Sequence, residues 1–353
     1  MTSLVFALSE DYAQATGGYV YDQRLLAELE RLGWHVQRLM LPAGFPRPTD
    51  EVRRQTDALL AALPDDTVLL TDQLCIDVLP EVAAAHGGRL RLVTIVHHPL
   101  AAEGAGPSDA AVANFRDEKA ALQHASLVLV TSETTARTLI SDYNVAAARL
   151  IVAPPGTDAL PLSRGGGAGA AVQLLGVGAV VPRKGQDLLV EVLASLSALT
   201  WRLTLVGNLE RAPDFVTQLK RRVAATGLGG RITLAGELAT ADLEAHWQST
   251  DVFVSASRHE GFGMAIAEAL ARGLPVVTTA AGAVADWLPA DAGVLVPTAD
   301  TEALVAALGQ VISDAAYRRR LRQGALDARA RLPSWSATGV IVNERLAALV
   351  AAG

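Results

Sequence analysis

The chain has 353 residues, half of them apolar and only 5% aromatic, with a formal net charge of -7 and a pI near 5.5. That length exceeds what one hydrophobic core usually serves and predicts two domains. The acidic balance excludes nonspecific nucleic-acid binding, which relies on Lys and Arg neutralising phosphates. A single cysteine, Cys75, cannot form an internal disulfide, so a reducing compartment and a small buried apolar role are expected for it.

The first eight residues lack a basic segment and read as a strand, not a signal peptide. The longest weakly polar stretch, 168–182, contains Gln173 and three glycines and is too short to span a bilayer. A cytoplasmic protein is therefore expected, a monomer or a homodimer. Apolar β-type runs then recur at 4–8, 36–41, 68–71, 92–96, 127–131 and 150–152. A second set lies at 172–177, 202–206, 232–234, 252–255, 276–278 and 294–296. Near-continuous apolar strands separated by amphipathic helices indicate parallel sheets covered on both faces. The fold class is α/β, with two Rossmann-like doubly wound domains facing a cleft at their strand C-terminal ends.

Ala153-Pro154-Pro155-Gly156 can continue neither a helix nor a central strand. The glycine-rich stretch 163–169 after it reads as a flexible connector. The expected organisation is a first domain over 1–155, a linker over 156–171 and a second domain over 172–333. A last helix over 334–353 would pack back on the first domain. The arginine run Arg318-Arg319-Arg320-Leu321-Arg322 reads as a solvated helix face, with peripheral contact to an anionic membrane as the alternative.

Candidate functional residues sit where strands end. Thr16-Gly17-Gly18 follows the first run and precedes a helix expected over 19–32, and paired glycines let a backbone approach a ligand closely. Tyr19 and Tyr21, with Asp22 and Arg24, could line a pocket there. Thr94-Ile95-Val96-His97-His98-Pro99 ends a buried strand in two imidazoles, which read either as structural core histidines or as donors to ligand oxygens. Arg183 and Lys184, in Val181-Pro182-Arg183-Lys184-Gly185, follow the seventh run and could neutralise a diphosphate. Gly207-Asn208-Leu209 and Gly236-Glu237-Leu238 follow the next two.

The densest stretch is 258–273. Gly261 and Gly263 mark a strand-to-helix turn, and Gly273 with Pro275 ends a helix expected over 264–272. Its N-terminus is a natural anion site. Glu268 lies on this otherwise apolar helix and needs a partner, for which ribose hydroxyls are suitable donors. Glu260, in the preceding turn, can address another hydroxyl. The competing reading pairs Glu260 with Arg258 and Glu268 with Arg272 as ordinary ion pairs.

Glu260-Gly261-Phe262-Gly263 and Ala267-Glu268-Ala269 resemble the E-x7-E signature of retaining glycosyltransferases of family 4, with the GT-B fold. The resemblance implies that Glu260 contacts the transferred sugar, that backbone groups of Gly263, Met264 and Ala265 meet sugar and phosphate, and that Glu268 holds the ribose. It further implies Arg183 and Lys184 on the donor diphosphate, Gly17 and Gly18 near its phosphates, and His97 in the family's strand-end histidine position. His98 departs from the pattern; with Tyr19 and Tyr21 it is carried as an acceptor-side candidate. Asn208 is implied in phosphate or base contacts, and Glu237 and Leu238 resemble the base-contacting loop. Two adjacent histidines make no metal site and no Asp-x-Asp motif is present, so a metal-independent enzyme without a cofactor is implied. It would move a hexose from a UDP- or GDP-sugar to an acceptor hydroxyl. A GT-B sugar-nucleotide epimerase or a catalytically silent nucleotide-sugar-binding regulator are the alternatives.

Overall fold

Each of the twelve β-type runs becomes a strand in the computed structural model, which describes residues 2–13, 16–103, 108–167 and 169–352. The chain divides into two compact units, Met1–Gly156 with Pro333–Gly353, and Thr157–Leu332. The first holds β1 (Ser3–Ser9), β2 (His35–Leu41), β3 (Val68–Asp72), β4 (Arg91–Val96), β5 (Leu127–Val130) and β6 (Leu150–Val152). They form one parallel sheet in the order β2-β1-β3-β4-β5-β6. The second holds β7 (Val172–Val177), β8 (Trp201–Val206), β9 (Ile232–Gly236), β10 (Val252–Ser255), β11 (Val276–Thr279) and β12 (Gly293–Val296). Their parallel order is β12-β11-β10-β7-β8-β9.

Both orders reverse direction once. In the first sheet the chain leaves β1 for β2 on one side and returns to β3 on the other; in the second it leaves β7 for β8 and β9 and returns to β10. Connections at such a switch point diverge, so the strand C-terminal ends there open a crevice that ligands use. Four loops are thereby singled out by topology: those after β1, β3, β7 and β10.

The inner strands are buried on both faces, as at β3, where all five residues are buried, whereas the edge strand β2 is largely exposed. Burying one such aliphatic side chain contributes about 1.5–3 kcal/mol. Helices are started by short polar side chains that accept otherwise unpaired N–H groups. Ser132 caps Glu133–Ser141 through Thr135 N, and Asp314 caps Ala315–Arg329 through Ala316 and Tyr317 N. Within the first unit the helix Trp335–Ala351 lies along the helix Gly17–Arg31. Trp34 Nε1 donates to Asn343 Oδ1 at 2.8 Å, Thr338 Oγ1 donates to Pro154 O at 2.6 Å, and the Arg24 guanidinium sits 5.2 Å over the Trp335 ring.

Two local expectations change. The glycine-rich stretch is not a free connector: Ser163 is buried and its Oγ donates to Thr250 O at 2.7 Å, while Gly166 N donates to Asp251 Oδ1 at 3.0 Å. The glycines engage through backbone groups, which composition does not reveal; Ala168 lies outside the described residues. Gly17 and Gly18 do not precede their helix but form its first turn, because Thr16 Oγ1 accepts from Tyr19 N and so caps it earlier.

Candidate functional site

In the second unit the loops after β7 and β10 are built against each other. Pro182–Lys184 forms a short 3-10 turn, and Gly185 closes it at φ 65° before the helix Gln186–Ser195. That left-handed conformation favours glycine, and an added Cβ there would also collide with the carbonyl oxygen of Ala256, just after β10. The close approach brings Lys184 Nζ to 2.6 Å from Glu260 Oε1. Ser257 Oγ donates to the same oxygen at 2.6 Å, and Arg183 lies 3.9 Å from Oε2 while donating to His259 O at 2.9 Å. Burial alone would raise the Glu260 carboxyl, which is 7% exposed; Lys184 and then Arg183 overcome it and hold it at about 2.

Gly263, at φ 94°, caps the helix Met264–Ala271 without a side-chain hydrogen bond, and Met264 and Ala265 are half-buried in its first turn. The turn is braced by Phe262 stacked on Trp287 at 4.9 Å, whose Nε1 donates back to Phe262 O at 2.9 Å. Glu268 is half-buried further along this helix, and burial raises its carboxyl above the ordinary glutamate value. Neither competing ion pair forms. Arg258 pairs with Asp187 at 2.8 Å, and Arg272 pairs with Glu244 at 2.7 Å while lying 4.7 Å over the Trp247 ring.

Other candidates in this unit are less direct. Asn208 Oδ1 accepts from Glu210 N at 2.8 Å and Arg211 N at 3.0 Å, so that oxygen shapes its own loop. Glu237 is exposed, and Leu238 packs on the cluster around Trp247. One signal the motifs did not use is composition: only three of the 30 basic residues are lysine, namely Lys119, Lys184 and Lys220.

In the first unit His97 follows β4, and its ring packs against Gly18, where an added Cβ would stand 2.9 Å from Cδ2. His97 N donates to Gln73 Oε1 at 2.7 Å, and Gln73 Nε2 donates to His98 O at 2.8 Å, so one buried amide fixes the turn. Ring Nε2 stands 3.1 Å from Asp72 Oδ2 and 3.3 Å from Asp22 Oδ1, both acids fully buried. Burial opposes a charge on the ring, but Asp22 and then Asp72 push it up to about 10. Asp22, Asp72 and His97 offer ligand atoms within 4.8 Å of one another. In the protonated form that these acids favour, the ring balances part of their charge. Asp72 and Gln73 were not visible as site residues, because a strand-end Asp-Gln carries no motif.

One acceptor-side candidate is corrected. Tyr21 is fully buried and donates to Ala153 O at 2.8 Å, so it belongs to the core. His98 is half-buried, with Nε2 2.6 Å from Glu103 Oε2. Tyr19 is half-buried in the first turn of Gly17–Arg31. Among the described residues no helix is long and apolar enough to cross a membrane.

Comparison with known proteins covers both units. Residues 17–159 match Glycosyltransferase Family 4 and residues 169–327 match Glycosyl transferases group 1. The chain is 30% identical over 267 residues to a D-inositol 3-phosphate glycosyltransferase of Nocardioides sp., an alignment of 69% of this chain and 57% of that protein's length. The structure of sucrose-phosphate synthase from Thermosynechococcus elongatus superposes with a TM-score of 0.83 at 21% identity, covering 100% of both chains. Anabaena HepE in complex with UDP-glucose does so with a TM-score of 0.79 at 18% identity, covering 99% of this chain and 100% of that one. The fold is thus the GT-B α/β fold.

Proposed function

Because the chain belongs to the group 1, family 4 glycosyltransferases, we propose that it is a retaining glycosyltransferase moving a hexose from a UDP- or GDP-sugar to an acceptor hydroxyl. The observation that carries this is the Lys184–Glu260–Arg183 centre at the β7/β10 switch point, on the unit that also presents the open N-terminus of Met264–Ala271. Leaving-group chemistry explains the parts. A departing nucleoside diphosphate gains negative charge as the glycosidic bond breaks, and preorganised cations and helix N–H groups stabilise it without reorganising.

Glu260, ionised down to about pH 2, cannot serve as a general acid. With Lys184 and Ser257 on one oxygen, it suits a hydroxyl acceptor role toward the sugar. Glu268 would take the ribose diol, whose hydroxyls replace the water it loses on burial. His97, a fixed imidazolium, would donate to ligand oxygen. The acceptor's proton passes to donor phosphate, and Arg183 and Lys184 do the work a metal would otherwise do.

HepE is described in complex with UDP-glucose, which favours testing UDP first. Thermal-shift titration with UDP, GDP and ADP, each with and without a chelator, tests the proposal. At least one nucleotide should raise the melting temperature equally in both conditions. No stabilisation by any of the three overturns the donor reading, and stabilisation that the chelator abolishes overturns metal independence.

A further inference from the structure

The loops that carry Lys184 and Glu260 are lashed together by Arg258 and Asp187, which have no assigned role at the donor. Arg258 N donates to Arg183 O at 2.7 Å, and the Arg258 guanidinium donates to Pro182 O. The same guanidinium forks onto Asp187, Nη1 to Oδ1 at 3.1 Å and Nη2 to Oδ2 at 2.8 Å. Asp187 lies in the first turn of the helix that starts behind Gly185, so the fork ties that helix to the strand-end loop holding Glu260. A planar guanidinium fixes direction as well as distance, which a lysine in its place could not do.

We propose that Arg258 and Asp187 are positioning residues that hold the Lys184 ammonium on the Glu260 carboxylate before any nucleotide arrives. The proposal deepens the donor-site reading and rests on it for its catalytic meaning. The pair is 35% and 24% exposed at its side chains, and ion pairs so placed add little to stability. Its contribution is geometric: an ångström of slack between the two loops would unmake a site that works by preorganisation.

The scarcity of lysine makes a ligand-free test available. Brief acetylation of the folded chain, read by peptide mass spectrometry, distinguishes the three side-chain amines, Lys119, Lys184 and Lys220. Arg258→Ala and Asp187→Asn should each raise Lys184 acetylation about fivefold, as a loosened pair frees the amine, and leave the melting temperature within a few degrees. In a Glu260→Gln background, where the partner charge is already gone, adding Arg258→Ala should change little, because coupled residues are not additive. Unchanged Lys184 labelling overturns the proposal. So does an equal rise at Lys119 and Lys220, which marks general loosening, and so does full additivity with Glu260→Gln. A chain that binds neither UDP nor GDP sinks the donor reading instead, and the labelling still decides whether the clamp exists.

Discussion

The two units place charged groups at the same topological position and balance them in opposite ways. At the β1/β3 switch of the first unit, two buried carboxylates face one imidazole; at the β7/β10 switch of the second, one buried carboxylate faces an ammonium and a guanidinium. The first centre keeps surplus negative charge after pairing and the second keeps surplus positive charge. On the proposed function, the surplus positive charge of the second centre is the one suited to a diphosphate. The same fold thus supplies two chemistries, and what differs is which charge the strand ends carry.

The largest expected effect breaks the second centre. Lys184→Ala should slow nucleoside diphosphate release from the donor about 100- to 1000-fold, the scale of losing one preorganised donor to a developing charge. Stopped assays at saturating donor measure it, and near wild-type rates would move the phosphate site elsewhere. The companion change Asp72→Asn in the first unit should leave UDP binding to the second centre intact, which isothermal titration can check.

The next effect sharpens the contrast through pH. In the first unit Tyr21, Cys75, Asp77, His97, Glu118 and Tyr143 are all raised, chiefly by burial except at His97, where carboxylates do the raising against burial. A raised group binds more protons folded than unfolded, so its stabilisation is present at low pH and lost as pH rises. For Glu118 that window runs from 4.5 to about 8, and for His97 from 6.5 to about 10. Glu260 is depressed, so its stabilisation is present above 4.5 and lost as pH falls toward about 2. Hydrogen exchange corrected for intrinsic rates should show the first unit opening at alkaline pH and the second around Glu260 in acid. Simultaneous opening at one end of the scale would contradict the opposite charge balances.

These contrasts show what could be read from the residues alone. All twelve strands were legible, because buried parallel strands are near-continuously apolar and their loops hold the glycines and prolines; the edge strand β2, His35–Leu41, is the more polar and exposed of them. The E-x7-E stretch was legible because carboxylates on an apolar helix and in a glycine turn are costly unless used. The acid pair around His97 was not. Asp22 reads only as one of four residues on an amphipathic helix that could line a pocket, and Asp72 as a helix cap, which it also is, through Leu74 N. Only packing three segments together makes them one group. Tyr21 misled for the same reason, since its place in the core depends on the helix Trp335–Ala351 behind it.

Glu268 offers a smaller and more selective test than Lys184. Glu268→Ala should weaken nucleotide binding about tenfold or more, the loss of a charged hydrogen bond, with little change in the pH response of the first unit. Since its carboxyl is raised in the free chain, the nucleotide affinity it supplies should grow as pH climbs above the ordinary glutamate range. Calorimetry across mildly acidic pH, on wild type and variant, isolates that slope. Equal slopes would remove the ribose role.

The smallest effect concerns Gly18. As a helical glycine its replacement by alanine should stabilise by up to about 1 kcal/mol, but the added Cβ would press on the His97 ring at 2.9 Å from Cδ2. The two terms oppose, so Gly18→Ala should shift the melting temperature by only a few degrees. The ring, however, must move off Asp22, which sits on the same helix. The His97 titration, followed by NMR, should then fall from about 10 toward 6.5. A stabilised variant with an unmoved His97 midpoint would mean that the glycine is a helix defect and not room left for the imidazole.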